Sequence, residues 1–438
     1  MEKIKILFIL GFKYLYRYRR RYIFLFAALV FCFGIVTFIT SSKDRMYDNL
    51  YYTAQSHYAG DIVAVGYNTD ISFTHYLRED EISSILNAVD ISGIEPEYTV
   101  KRTFFGNTGV VYFNGIPVIQ KYVIGCDWEN EAQLFSKMDF TSNIKSPLGN
   151  DSIIISNPVA MQLKASMGDI VTLEVSNKWG QKNTGQFIVS GIVRDMSIFG
   201  YYKVYISRIS LNRLLLFNDN DCSMIGIYLK KISAAEEKRS VLYKTLSQRI
   251  QTGSLVNDRE GMNRELSDSW TWQGTKVFLY TLPVYLSEIA NLLNAMDLLT
   301  YFLYGMMLII IFVSASVTYR LILHERSKEM GVMRAIGFYG GDLRIVLWAE
   351  VFILGIISVI AGFLLSFLFS FAASFISFEW FPSFEIFLRN GKLTALYLPS
   401  AVIRNVLLIF LILGAAVVFP SLNASKKNLP SLLSGEHL

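Results

Sequence analysis

The chain has 438 residues, of which 52% are hydrophobic and 14% aromatic, above the roughly 45–50% apolar share of ordinary soluble domains, so an ordinary soluble protein is excluded. Its 41 basic and 36 acidic residues leave a net charge of +5, but the basic residues cluster beside apolar blocks rather than on one polar face, which argues against a nucleic-acid surface. A polar stretch from about Lys43 to Tyr280 lies between those blocks, the pattern of a soluble domain inserted between membrane segments.

The N-terminal stretch GFKYLYRYRRRY is basic and carries Lys13, Arg17, Arg19, Arg20 and Arg21. Tyr22 to Thr40 follows with no charge in 19 residues, about 28 Å of helix against a hydrocarbon core of roughly 30 Å. Only Lys43 and Arg45 come soon after it, beside Asp44 and Asp48, so the positive-inside rule places the N-terminus in the cytoplasm and the following domain outside. FITSSKDRMYD is a poor cleavage site, and the block is expected to be an uncleaved anchor.

In the polar stretch, REDEISSILNAVD sets Ile82, Ile85, Leu86 and Val89 at helical spacing, and ISGIEPEYTV leads into a strand. GDIVTLEV alternates Val171, Leu173 and Val175 with Ile170, Thr172 and Glu174, and GQFIVSGIV and YYKVYIS keep the period of two. SAAEEKRSVLYKTLSQRI returns to helix, with Ser233 and Glu236 at capping-box spacing and Val241, Leu242 and Leu246 on one stripe. An α+β unit surrounding a strand-rich insert is expected. Cys126 and Cys222 fall in this outer segment, where a disulfide and a pair of buried thiols are both open. No phosphate-binding GxxxxGK[ST] run and no HExxH motif occur, and His57, His75, His324 and His437 are scattered, so no catalytic, cofactor or metal site is expected in this chain.

Three further apolar blocks follow, about Leu298 to Leu323, Leu347 to Phe378 and Tyr397 to Phe419, with Arg404 placed toward the outer end of the last, where it can snorkel. Between the first two of these lies HERSKEMGVMRAIGFYGGD, residues 324–342. Positive-inside charge alone would need only Lys or Arg in any order, whereas Met330, Val332, Met333, Ile336 and Phe338 are too apolar for a solvated loop. Glu325 and Glu329 lie one helical turn apart, as do Gly331 and Ala335, while Gly337, Gly340 and Gly341 supply a stop before Asp342 caps the next span. The expectation is a short docking helix on the membrane surface, its methionines filling a groove on a partner, Gly331 and Ala335 allowing close approach, and Glu329 and Arg334 fixing register.

ERSKEMGVMRAIGF resembles the signature of the FtsX-like permease family of ABC transporters, and the resemblance continues through Glu350, Gly355 and Gly362 and into a tail with Pro420, Ala424, Lys426, Pro430, Leu433 and Glu436. NPVAMQLKASMGDIVTLEV with IVSGIVRD is similar to the outer domain of MacB-type and LolC/LolE-type permeases. The resemblance implies an α-helical membrane protein with four transmembrane helices and a large α+β extracytoplasmic domain between the first and second. Its expected parts are residues 1–42 (amphipathic entry and first span), 43–290 (periplasmic domain), 291–424 (three spans with a coupling helix at about 324–338) and 425–438 (cytoplasmic tail).

It implies further a permease subunit in the inner membrane, both termini cytoplasmic, paired with a second copy or paralogue and with a separate cytoplasmic ATPase that binds the ATP and Mg. Glu325, Arg326, Glu329, Met330, Gly331, Met333, Arg334, Ala335 and Gly337 would form the coupling helix. Glu350 would sit near the cytoplasmic interface and pair with Arg320, Arg334 or Arg344, because an unpaired carboxylate in a span is costly, and Gly355 and Gly362 would pack helices. SDSWTWQGTKVF resembles a Trp-containing segment of LolC/LolE-like permeases and reads equally as an aromatic belt or stalk contact near the interface; for cargo, lipoprotein release ranks first, MacB-type efflux of small molecules or peptides second and FtsX-like signalling to cell-wall hydrolases third. A membrane-anchored sensor without an ATPase is the reading from a different class.

Overall fold

The computed structural model describes residues 2–70, 74–142, 144, 147–195, 200–268, 271–378, 387–388 and 391–426. The chain begins with α1 (Glu2–Arg17) and α2 (Arg19–Tyr58), followed by β1 (Ile62–Asn68), β2 (Thr74–His75), α3 (Glu79–Ile91), β3 (Tyr98–Phe105), β4 (Gly109–Phe113), β5 (Ile116–Gln120) and β6 (Tyr122–Cys126). Next come α4 (Ala132–Lys137), β7 (Ser152–Ser156), α5 (Asn157–Leu163), β8 (Ile170–Ser176), β9 (Lys182–Val193), β10 (Lys203–Ser207), α6 (Arg208–Leu215), β11 (Met224–Tyr228), α7 (Ala235–Leu246), α8 (Arg259–Ser267), β12 (Thr275–Thr281) and α9 (Leu282–Tyr285). It ends with α10 (Ser287–Glu325), α11 (Ser327–Ala335), α12 (Gly340–Ala373) and α13 (Pro399–Lys426). Helices α2, α10, α12 and α13 are the four long and apolar enough to cross a membrane among the described residues, in agreement with the expected fold class. The third ends at Ala373, short of the Phe378 at which the apolar run was expected to stop.

Two compact units result: Met1–Tyr47, Leu293–Ser377 and Lys392–Leu438 form a helical unit, and Asp48–Leu292 with Phe378–Gly391 form a mixed α/β unit. Within the mixed unit, Asn49 Nδ2 donates to the Phe387 carbonyl at 3.1 Å.

In the mixed unit, described strands join one sheet in the order β12-β1-β11-β3-β6-β10-β7-β9-β8-β4-β5, with β2 beside β1. The α+β half and the strand-rich insert are therefore one sheet, continuous through the antiparallel β3–β6 pair. β1 is buried on both faces. Ile62 and Ala64 pack with Ile82, Ile85 and Val89 of α3 and Leu242 and Leu246 of α7, whereas Val63, Val65 and Tyr67 face Phe278, Tyr280 and Trp272. In β8, Val171, Leu173 and Val175 are buried while Ile170 is exposed, the alternation read from the sequence. The expected capping box at Ser233 does not form, because residues Ile232–Ala234 make a 3₁₀ turn and α7 begins at Ala235; Val241 is exposed and leaves the stripe to Leu242 and Leu246. Cys126 and Cys222 are free and buried. Burial pushes the Cys126 thiol well up and that of Cys222 up to about 12, so neither is poised to react.

Helix α2 ends inside this unit on a buried ion pair. Arg102 of β3 binds Glu131 at 2.6 Å, both side chains essentially solvent-free, and its Nη1 donates to the carbonyls of Ser56 at 2.7 Å and His57 at 3.4 Å. One guanidinium thereby satisfies carbonyls that a helix C-terminus leaves orphaned. The chain then reverses through Ala59, whose carbonyl lies where a Cβ on Gly226 would stand at 1.6 Å, so only glycine fits at that point of β11.

In the helical unit, α2 and α12 meet at glycine: a Cβ on Gly34 would lie 3.0 Å from the Gly362 carbonyl, and one on Gly362 2.8 Å from the Val30 carbonyl. Leu25, Leu29, Phe33, Ile311, Ala315, Val351, Leu354, Ile409 and Leu413 fill the bundle centre.

Replacement of Arg102 by Met leaves Glu131 buried and unpaired and the α2 carbonyls without a donor. It should destabilise the mixed unit by about 3–5 kcal/mol, seen as a lowered Tm in calorimetry of the purified full chain against wild type.

Candidate functional site

The peptide 324–342 forms the end of α10, the junction residue Arg326, helix α11 and the start of α12. The hydrogen-bond ladder runs nearly unbroken through the junction, Arg326 N–H to Ile322 C=O and Met330 N–H to Arg326 C=O, each at 3.0 Å. Gly337 ends α11: its φ is +103°, and Phe338 N–H reaches back to Met333 C=O at 3.1 Å in a Schellman-type closure. Gly340 and Gly341, expected to prolong the stop, belong to the first turn of α12, and Asp342, expected as its cap, is its third residue. Tyr339 is the cap, and the Asp342 carboxylate accepts its N–H at 3.0 Å, a negative charge favourably placed at a helix N-terminus.

The centre of the site is an ion pair inside the protein. Glu350, two to three turns into α12, is fully buried, and Arg326 Nη1 donates to both its oxygens at 2.9 and 3.0 Å. Arg326 thus replaces Arg320, Arg334 and Arg344, the partners expected from the sequence; it is nearer because the junction folds it inward against α12. The Tyr22 hydroxyl of α2 adds a third bond to Glu350 at 2.6 Å, so one carboxylate joins α2, α12 and the α10–α11 junction. The Arg326 guanidinium stacks on the Tyr14 ring of α1 at 4.0 Å and lies 5.4 Å from that of Tyr18. Glu329 accepts from the Tyr18 hydroxyl at 2.5 Å and lies 3.7 Å from Arg326 Nε; that hydrogen bond is the main cause that raises the Tyr18 phenol pKa. Glu325 pairs with Arg21, both partly exposed, a contact of small energetic weight.

Met330 and Met333 are covered by the chain itself. They are buried with Leu323, Leu343 and Leu347 and packed against Leu10, Tyr14 and Phe338, because α11 folds this face onto α1 and α12. Gly331 is on the buried side as well. The outward face consists of Val332, Ala335, Ile336 and Gly337, followed by Tyr339, with Ile336 74% exposed. Arg334 lies in α11, but its side chain is outside the described residues, as are those of Pro420, Ala424 and Lys426 and all of Pro430, Leu433 and Glu436. Gly355 packs α12 on α13, a Cβ there falling 2.7 Å from Phe410, and Gly362 packs on α2. Tyr14, Tyr18 and Tyr22 were missed from the sequence although their spacing of four puts them on one helical face.

Removing one member strands the other. Glu350→Leu or Arg326→Met alone should destabilise the helical unit by about 3–5 kcal/mol, whereas the double variant should regain most of that loss, since apolar pairs replace buried ion pairs at little cost. Thermal unfolding of the four proteins in detergent measures the cycle.

Residues 301–429 match the family model described as FtsX-like permease C-terminal. No curated protein matches the chain in sequence. Among solved structures, the chain is similar to the extracellular domain of the noncanonic ABC-type transporter YknZ from Gram-positive bacteria, at 14% identity over 49% of this chain and 98% of that one with a TM-score of 0.29. It is also similar to the periplasmic region of MacB from Actinobacillus actinomycetemcomitans, at 10% identity over 53% and 93% with a TM-score of 0.31. The segment that matches the FtsX-like permease C-terminal model contains the greater part of α10 and all of α11, α12 and α13.

Proposed function

We propose that the chain is the permease subunit of an ABC transporter, acting in the inner membrane as a dimer with a second copy or a paralogue and driven by a separate cytoplasmic ATPase that holds the ATP and Mg. The observation that carries the reading is the buried contact of Arg326 with Glu350 and Tyr22: a push on α11 is received at once by α12 and α2, and α2 runs on as one helix to Tyr58, inside the mixed unit. The ATPase docks on the outward face of α11, Val332, Ala335 and Ile336 with Tyr339, rather than on Met330, Gly331 and Met333. A subunit whose span helices pack on an apolar centre transmits motion better than it conducts a polar solute, so the work is done on cargo outside the bundle.

The proposed cargo is an acylated lipoprotein released toward the outer membrane. The Trp-containing segment adds no support, since Trp272 is buried against Phe278. Its support is the resemblance of NPVAMQLKASMGDIVTLEV with IVSGIVRD to the outer domain of LolC/LolE-type permeases.

Val332→Glu with Ile336→Glu places charge on the docking face without touching the buried pair. The variant should keep the wild-type Tm, lose the ATPase on co-purification, and leave lipoproteins in the inner membrane. Retained complex and normal lipoprotein release would refute the coupling reading; lost complex with normal lipoprotein release but impaired efflux would move the cargo to the MacB type.

A further inference from the structure

We propose that α1 is an anionic-phospholipid-binding helix seated in the headgroup layer, and that its lipid contact sets the position of α11. The two faces of α1 differ. One is occupied by the protein: Leu7 and Gly11 are buried, a Cβ on Gly11 would stand 3.0 Å from Ala349 of α12, and Tyr14 and Tyr18 hold Arg326 and Glu329. The other exposes Ile6, Ile9, Phe12 and Tyr16, whose intervals of three, three and four draw one apolar stripe, with Lys13 and Arg17 exposed beside it. An apolar stripe bordered by basic side chains is the composition of helices that lie in the plane of an interface with their apolar side chains below the headgroups.

Chain connectivity and charge choose the occupant. Only Tyr18 separates α1 from α2, and the uncharged run of α2 begins at Tyr22, so α1 ends at the membrane surface and cannot stand away from it. Glu329 lies 4.0 Å from Arg17 and Glu325 pairs with Arg21, whereas Lys13, Arg19 and Arg20 are exposed and have no carboxylate partner among the described residues. After Glu2, α1 carries no acidic residue. Phosphate headgroups of an anionic leaflet complement this set, and that attraction acts within about a Debye length of the surface, roughly 8 Å at physiological ionic strength. Because Tyr14 lies on the same helix as the lipid-facing stripe and Tyr18 directly follows that helix, an α1 seated in the headgroups fixes the aromatic wall against which Arg326 and Glu329 rest.

The inference takes membrane placement from the proposed function and nothing from ATP coupling, so its test contains no nucleotide. Hydrogen–deuterium exchange is measured on the full chain in nanodiscs of phosphatidylcholine alone and of phosphatidylcholine with phosphatidylglycerol. Amides of α1 and α11 should exchange about tenfold more slowly in the anionic discs, the difference should vanish at high salt, and Lys13→Gln/Arg19→Gln/Arg20→Gln should abolish it while α12 keeps wild-type protection. If that variant does not fold, the wild-type comparison between the two lipids decides alone. Equal exchange in both lipids, a lipid difference that survives in the folded variant, or protection of α1 that arises only on adding the cytosolic ATPase overturns the proposal, the last assigning the stripe to a protein partner.

Discussion

The structure of the helical unit turns on one carboxylate that cannot be left alone. Glu350 sits in a span helix with no solvent exposure, where an unpaired charge is expensive, and Arg326 and Tyr22 supply all three hydrogen bonds that hold it. A buried ion pair is weak evidence for stability, because well-packed apolar residues do as well. Its stronger property is geometric. Arg326 reaches both carboxylate oxygens through Nη1 while its guanidinium plane rests on the Tyr14 ring, and the two contacts together give the α10–α11 junction one seat on α12. Lys at position 326 would keep the charge but lose the planar stacking on Tyr14.

From that seat follows the division of α11 into two faces. Apolar side chains occur all round it, and the turn at Gly337 together with the Arg326 anchor turns Met330, Gly331 and Met333 into the protein, leaving Val332, Ala335 and Ile336 outward. The methionines are thus the cushion between α11 and its own chain rather than the contact with another. Tyr14 of α1 and Tyr18 just after it complete the arrangement by closing over Arg326 with two rings, so the chain's N-terminal segment, the α10–α11 junction and α12 share one charged centre. The mixed unit repeats the device at the other end of α2, where Arg102, paired with Glu131, donates to the helix carbonyls.

What was legible in the sequence was what depends on local pattern. The uncharged run from Tyr22 and the three later apolar blocks located the spans, the alternation of Val171, Leu173 and Val175 located β8, and the glycine at 337 located the end of α11. What was not legible depends on contacts across the chain. The partner of Glu350 was sought among Arg320, Arg334 and Arg344, yet Arg326 takes the place because the junction folds inward, which no periodicity records. Apolarity of the 324–342 peptide could not separate residues buried by the chain itself from residues offered to a partner, and so Met330 and Met333 were placed on the wrong face. The Ser233 cap failed for a local reason of another kind, a 3₁₀ turn that competes with the first turn of α7. The tyrosines at 14, 18 and 22 were a readable signal, since spacing of four on a basic helix puts three hydroxylated rings on one face.

The central claim is that the Arg326–Glu350 pair fixes α11 on the span helices. Spin labels placed at Ile336 on α11 and at Phe371 near the end of α12, both exposed positions, report that relation directly by double electron–electron resonance in nanodiscs. With the pair intact, the distance distribution should be single and narrow, and Glu350→Leu should broaden it while the distance between labels at two positions within α12 stays unchanged. An equally narrow distribution in the Glu350→Leu protein would contradict the claim and leave α11 held by the apolar packing of Met330 and Met333 alone.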